Sequence, residues 1–385
     1  MNDLSILFPL PSSAAERAGS VLTAATTGFR GTLLPSNLYQ AVGHINGSSP
    51  PTVISPGDSD AAYSNLMVVA MRLDPCFADL APDPHGAGCS NQLRLVMQDV
   101  TTNSVGSFGA VDSGLHVFYS LTREQLLDVA QGIAALRIAS GRSDRLGPLA
   151  PHAVMVAEGL DGPMAAGVRA LILGYAGEQN LTRVTKLLDT DGGFNWEFEG
   201  FDVTKADPPA VTRMLIPTLP TTATYQSFFR DFGADINGKF SPVTTGPDAI
   251  TAVEKSGATG QAVTADVAAA VHAMARIENP ALDSPDTVDC AGCHLATPLS
   301  RMVAGPDFGL SELTDPSAFT VDGMSVLPSE VRATFDPAAP ILQVHAFSYL
   351  GGDAVINQRT ANETAAVVEY LNANAPAIWP TPPAP

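Results

Sequence analysis

The residues best suited to chemistry stand together at Cys290, Cys293 and His294, in the order Cys-Ala-Gly-Cys-His. Thiolates and imidazoles bind transition metals, and paired thiols also form disulfides or react with carbon electrophiles. A two-residue spacer brings the two sulfur atoms within one helical turn of each other. The spacing therefore indicates a single site that holds two sulfur atoms and one imidazole.

The pattern C-x-x-C-H is the attachment sequence of a c-type haem. In that chemistry Cys290 and Cys293 add to the two vinyl groups of the porphyrin and become thioethers, while His294 binds iron as the proximal ligand. Because the chain has 4 Cys and 7 His in 385 residues, an accidental match is expected in about one such chain per thousand. The sequence predicts one covalently bound haem c.

Two other uses of this cysteine pair stay open. The thiols could act as a redox dithiol or supply half of a zinc site. A zinc site needs two further thiols or imidazoles nearby, and the other cysteines, Cys76 and Cys89, lie far upstream. A thioredoxin-like pair needs a strand–helix context, which the flanking sequence does not indicate.

Through residues 290–294, and more loosely over 264–371, the chain resembles bacterial c-type cytochromes. The resemblance implies one-electron transfer by iron that cycles between its ferric and ferrous states. It also implies a periplasmic or extracellular location, where bacteria attach haem c. The alternative functions are a haem enzyme with an open iron site, acting on peroxide or another small redox substrate, and a binding or sensory module with a structural haem. The first 235 residues show no such resemblance.

The sixth ligand of the iron separates these functions, because methionine raises the potential, histidine lowers it and an open position permits catalysis. His345 is the preferred distal ligand, since it lies in an apolar sequence where an unpaired imidazole would be costly. Met324, in a loop-like sequence, is the alternative, and Met302 follows the proximal histidine too closely to reach the far side of a porphyrin. His116 and His272 are remoter candidates, and His272 is expected to be packed or exposed instead.

Cys76 and Cys89 flank a loop rich in Pro, Asp and Gly, between alternating apolar segments at 66–73 and 93–100. This pattern predicts two strands joined by a long loop. A disulfide across the loop base would stabilise the chain by about 3 kcal/mol on the loop-entropy model. It would also agree with the oxidising compartment that haem c implies, whereas two separate buried thiols are the alternative.

Composition limits the class of protein. A chain of 385 residues with 45% hydrophobic and 15% charged residues is globular and long enough for two domains. The net charge of −19 argues against a nucleic-acid partner and suits a basic redox partner protein. No apolar run could span a bilayer. The start, Met1 to Leu4, lacks the features of a signal peptide, so we expect that the exported precursor begins differently.

The order of sequence patterns predicts an α+β fold with two domains. Residues 1–236 are predicted to form a strand-rich domain with helices. Residues 237–261, rich in Gly, Thr, Ser and Pro, are predicted to be a linker or long loop. Residues 262–385 are predicted to form a mainly α-helical, cytochrome c-like haem domain that ends in a Pro-rich tail.

Local signals support the first domain. Besides the two segments around the cysteine loop, strands are predicted at 4–10 and 115–120, and 182–188 and 194–203 form a hairpin around Asp191-Gly192-Gly193. Thr122 and Gln125 make a capping box that predicts the start of a helix. A second apolar stripe at helical spacing runs from Met164 to Tyr175.

Overall fold

The structure is a computed structural model. It describes residues 3–44, 63–75, 90–102, 106–141, 149–190, 195–205, 209–231, 237–242, 244, 246, 248–250, 265–283, 287–304 and 344–374. The predicted disulfide between Cys76 and Cys89, the candidate ligand Met324, the Pro-rich tail and residues 251–261 of the predicted linker lie outside these ranges.

Strands and helices both contribute to the described residues, so the α+β class is confirmed. The strands are β1 (Ser5–Leu7), β2 (Thr27–Gly28), β3 (Gly31–Thr32), β4 (Leu66–Asp74), β5 (Asn91–Thr102), β6 (Phe108–Ala110), β7 (Ser113–Leu121), β8 (Leu181–Asp189), β9 (Asn195–Thr204), β10 (Ala210–Arg213), β11 (Leu215–Ile216), β12 (Leu219–Ala223), β13 (Tyr225–Asp231), β14 (Asn237–Ser241), β15 (Phe347–Leu350) and β16 (Asp353–Ile356). The helices are α1 (Ala14–Ser20), α2 (Ser36–His44), α3 (Arg123–Ala139), α4 (Ala153–Glu158), α5 (Pro163–Tyr175), α6 (Ala265–Ile277), α7 (Cys290–Ala304) and α8 (Gln358–Asn374).

One antiparallel sheet forms the centre of the molecule, with the strand order β1-β4-β5-β7-β8-β9-β13-β14. The strands predicted around residues 66–73, 93–100, 115–120, 182–188 and 194–203 are confirmed as β4, β5, β7, β8 and β9. Most neighbours in the order are consecutive along the chain, as hairpin connections require. Strand β14 pairs with β13 and occupies the first five residues of the segment that the sequence indicated as a linker.

Helices α3 and α5 pack on one face of this sheet. The predicted capping box begins α3: the Gln125 amide donates to Thr122 Oγ1, and the Thr122 amide donates to Gln125 Oε1 at 2.9 Å. Apolar residues of both helices meet alternate residues of the strands, as a period of two along a strand requires. This core includes Met71, Leu95, Val117, Ile133, Val168 and Phe201.

The opposite face of the sheet is covered by the C-terminal part of the chain, in two apolar clusters. Helices α6 and α7 pack on β9 and β13, and their cluster includes Trp196, Phe198, Phe228, Met274, Leu295 and Leu299. The β15–β16 hairpin packs on β4 and β5, and its cluster includes Val96, Val100, Phe347, Tyr349 and Ile356. The sheet and the described residues of 262–385 therefore share their cores.

Between these clusters, strands β4, β5, β7 and β8 carry polar and aromatic side chains on the same face of the sheet. Strand register places Arg72 opposite Arg94, Arg94 opposite Phe118, and Phe118 opposite Arg183. Two residues before Phe118 on β7, and on the same face of the sheet, His116 is opposite Thr185. We call these six residues the central strip: Arg72, Arg94, His116, Phe118, Arg183 and Thr185. Within the described ranges, no helix combines the length and the apolar character needed to cross a membrane.

Candidate functional site

The predicted haem-attachment residues form the first turn of α7, next to the central strip. Asp289 caps this turn, because its Oδ1 accepts a hydrogen bond from the Gly292 amide at 2.8 Å. Gln226 of β13 holds the cap in place: its side chain donates to the same Asp289 oxygen and accepts from the Ala291 amide at 3.1 Å. A Cβ atom at Gly292 would lie 2.8 Å from Asp289 Oδ2, so the glycine of the spacer leaves room for the cap.

Asp289→Ala should lower the free energy of unfolding by about 1 kcal/mol, because the Gly292 amide of α7 loses its acceptor. It should also reduce covalent haem, since the two thiols sit on this turn. Thr122→Ala is the matched control, as it removes an equivalent cap from α3 at a distance from the site. Chemical denaturation and haem content measured on both variants check this. Equal haem loss in the two variants would show a general folding effect instead.

Both thiols of the motif are unpaired and partly buried. Burial, reinforced by the nearby Asp289 carboxylate, raises the pKa of the Cys290 thiol to about 12. Burial also raises the pKa of Cys293, although the guanidinium groups of Arg359, Arg94 and Arg72 act in the opposite direction. Both residues are therefore thiols at neutral pH, unlike the low-pKa thiolates of dithiol redox enzymes.

The imidazole of His294 is held in one tautomer. Its Nδ1 lies 2.7 Å from the carbonyl oxygen of Val344, and since a carbonyl can only accept, Nδ1 carries the proton. Nε2 is then the unprotonated nitrogen, on the edge of the ring that faces away from Val344. Burial lowers the pKa of His294 to about 4, so the ring is neutral at pH 7. This state is the one that binds a metal, and a backbone acceptor on Nδ1 is a common way to orient such a ligand.

Two aromatic rings of the sheet lie close to the His294 ring. Its centre is 5.6 Å from that of His116 on β7 and 5.5 Å from that of Phe198 on β9. Beside them, the guanidinium carbon of Arg94 lies 4.7 Å from the centre of the Phe118 ring. The motif thus faces aromatic and cationic side chains, a suitable surrounding for a flat group that carries negative charge.

Buried arginines extend this surrounding. Arg94 and Arg72 form ion pairs with Asp74 at 2.9 and 3.6 Å, and Glu363 of α8 contacts both Arg72 and Arg359. In the part of the chain that the structure describes, the Nε atoms of Arg72 and Arg94 are buried and have no hydrogen-bond partner. Unsatisfied guanidinium nitrogens favour an additional anionic acceptor, and a haem carries two propionate carboxylates. The residues present therefore fit a covalent haem.

His345, the predicted distal ligand, already has polar partners on both ring nitrogens. Its Nε2 lies 2.7 Å from Asp112 Oδ1, and its Nδ1 lies 2.9 Å from Ser348 Oγ. Asp112 in turn accepts a hydrogen bond from Trp196 Nε1. The residue before His345, Val344, accepts the hydrogen bond from His294 Nδ1, which is the ring nitrogen that would not bind iron. The role of His345 stays a prediction, and these contacts count against it.

The other candidate ligands differ in their exposure and in their distance from His294. His272 on α6 is exposed, as expected. The side chain of Met302 and the whole of Met324 lie outside the described residues. His116, a remote candidate in the sequence, is the imidazole that the fold brings next to His294. His116 lies two residues before Phe118 on β7, so the sequence could place both side chains on the same face of the sheet. No local signal, however, indicated which part of the chain covers that face.

Comparisons with protein-family models, with curated proteins and with solved structures gave no match to this chain. The function must therefore be argued from the site itself.

Proposed function

We propose that this chain is an extracytoplasmic mono-haem c-type cytochrome that carries out one-electron transfer. The observation that carries the proposal is the imidazole of His294, which follows two unpaired thiols on one helical turn and donates its Nδ1 proton to the Val344 carbonyl. That bond leaves Nε2 unprotonated and fixes the direction in which it points. A histidine that binds a metal commonly has its other ring N–H held by such an acceptor.

The thioether bonds, the iron and the propionates of a haem c would each have residues of this chain suited to hold them. Cys290 and Cys293 would anchor the porphyrin as thioethers, and His294 would bind the iron. Arg72 and Arg94 would donate hydrogen bonds from their unsatisfied Nε atoms to the propionates. When bound, haem c supplies an iron that accepts and releases one electron. The surrounding protein orients the proximal imidazole and excludes water from it, which sets the potential.

Residues 262–385 would serve as a cytochrome c-like haem domain. The start of its closing helix α8 is tied to the motif helix α7 at two points. Asn357, the residue before α8, donates from Nδ2 to the Cys293 carbonyl at 3.1 Å, and the Gln358 amide donates to Thr297 Oγ1 at 3.0 Å. These bonds hold the first two turns of α7 in addition to the Asp289 cap. The haem ligand therefore sits on a rigid segment, as fast electron transfer requires.

The thiol chemistry favours attachment over dithiol redox catalysis. A catalytic C-x-x-C pair has a thiolate whose pKa is depressed by the helix N-terminus or by a cation. Here burial outweighs the influence of the nearby cation Arg183, and the pKa of Cys290 is raised to about 12. The partner of the proposed electron carrier would be a basic redox protein, because the chain has a net charge of −19.

Expression with an export signal, in cells that have a haem-attachment system, tests the proposal. The purified chain should show the absorption of a covalent haem, and its band on a denaturing gel should stain for haem after boiling. It should also undergo reversible one-electron reduction. A colourless chain from these cells would refute the proposal. A reduced iron that binds carbon monoxide freely would favour the enzyme alternative instead.

A further inference from the structure

Of the six residues of the central strip, His116 has the side chain whose chemistry and position best suit a second axial ligand. It projects from β7, near the middle of the sheet, and its ring centre is 5.6 Å from that of His294 with 33° between the ring planes. Some 180 residues of sequence separate the two histidines, so only the packing of the C-terminal part on the sheet brings them together.

The separation suits two imidazoles that share one metal ion. Such rings have centres about 6 Å apart, because each metal–nitrogen bond is about 2 Å long and each nitrogen lies about 1 Å from its ring centre. Ring stacking alone would leave His294 Nε2 and both ring nitrogens of His116 without a hydrogen bond among the described residues, while His294 Nδ1 keeps its bond to the Val344 carbonyl. Among the described residues, His116 has aromatic neighbours, His294 and Phe118, and no hydrogen bond to either ring nitrogen.

Burial makes this lack of a partner costly for His116. A partly buried imidazole that makes no hydrogen bond loses part of the solvation of its polar nitrogens without gaining a partner. The ring of His116 therefore offers unpartnered nitrogens beside the motif, with its centre 5.6 Å from that of the His294 ring. By contrast, the two ring nitrogens of His345 already lie 2.7 Å from Asp112 Oδ1 and 2.9 Å from Ser348 Oγ.

We infer that His116 is the distal ligand of the haem iron, which makes the site bis-histidine. This inference rests on the proposed function. It assigns a role to the N-terminal sheet: the sheet supplies one axial ligand and the C-terminal part supplies the other, so the iron links the two parts of the chain. Two imidazole ligands lower the potential and close the iron to small ligands, which favours electron transfer over catalysis.

The test uses the full chain, purified from haem-attaching cells, with His116→Gly, His345→Gly and His272→Gly compared. Covalent haem content is measured first, and then the ferric spin state and the rate of carbon monoxide binding to the reduced protein. The unmodified ferric protein should be low-spin. His116→Gly should keep its covalent haem, become high-spin and bind carbon monoxide about tenfold faster or more. Added imidazole should restore the low-spin state in this variant alone.

His345→Gly is the decisive comparison, because it removes the other buried imidazole near His294, while His272→Gly removes an exposed one. Both should stay low-spin. A low-spin His116→Gly chain with normal haem content would overturn the ligand assignment, as would an open iron in His345→Gly. A near-infrared band of thioether ligation in the unmodified ferric protein would overturn it without any variant. Failure of the proposed function would look different, since the unmodified chain would then contain no covalent haem.

Discussion

Cys290→Ala and Cys293→Ala should each reduce the covalent haem of the chain to about a tenth of normal or less. Each substitution removes one of the two thioether bonds, and the remaining thiol has to hold the porphyrin in place alone. The structure places both thiols on the capped first turn of α7, beside the proximal imidazole, so neither can be replaced by another nearby cysteine in the described residues. Absorbance of the haem in alkaline pyridine, relative to protein concentration, gives the measurement.

The matched control is the double variant Cys76→Ser and Cys89→Ser. It removes the chain's other two cysteines and should keep the full haem content. If the variants at 290 and 293 were to keep their haem, or if the unmodified chain contained none, the thiols would have another use. The redox dithiol would then be the first alternative to examine, despite the raised pKa of Cys290.

The sequence could predict those features that depend on neighbouring residues. Alternating apolar residues indicated β4, β5 and β7, and the capping box of Thr122 and Gln125 indicated the start of α3. Both signals act within a few residues, where side-chain periodicity and capping follow from backbone geometry. The motif itself, from Cys290 to His294, is also local, and its chemistry could be read without a structure.

The remainder of the site depends on pairing between distant segments, which no local pattern encodes. The carbonyl that fixes the His294 tautomer belongs to Val344, 50 residues further along the chain. His116 meets His294 because the C-terminal part covers one face of the sheet. An apolar sequence around His345 predicted a buried imidazole, which is confirmed, but it could not reveal that Asp112 and Ser348 supply its partners.

Glu363→Gln should lower the free energy of unfolding by about 3–5 kcal/mol at neutral pH. Glu363 is buried on α8 and contacts Arg72 across the sheet interface at 2.5 Å and Arg359 on its own helix at 2.7 Å. Its loss leaves Arg359 without its carboxylate and Arg72 with only the longer contact to Asp74, and an unpaired buried charge is more costly than the pair is favourable. Glu369→Gln is the matched control, since Glu369 lies on the exposed side of the same helix. That variant should change stability by less than about 0.5 kcal/mol.

The difference between Glu363→Gln and the unmodified chain should depend on pH. Burial alone would raise the pKa of Glu363, but the guanidinium groups of Arg359, Arg72 and Arg94 lower it to about 2 from its ordinary 4.5. A carboxyl whose pKa is lower in the folded state stabilises the fold fully above its unfolded value and loses that contribution as the pH falls. The difference between the two proteins should therefore be constant above about pH 5 and should shrink between pH 4.5 and 2. Urea unfolding of both proteins across this range measures it, and a difference that stays constant down to pH 2 would show that Glu363 acts through packing rather than through its charge.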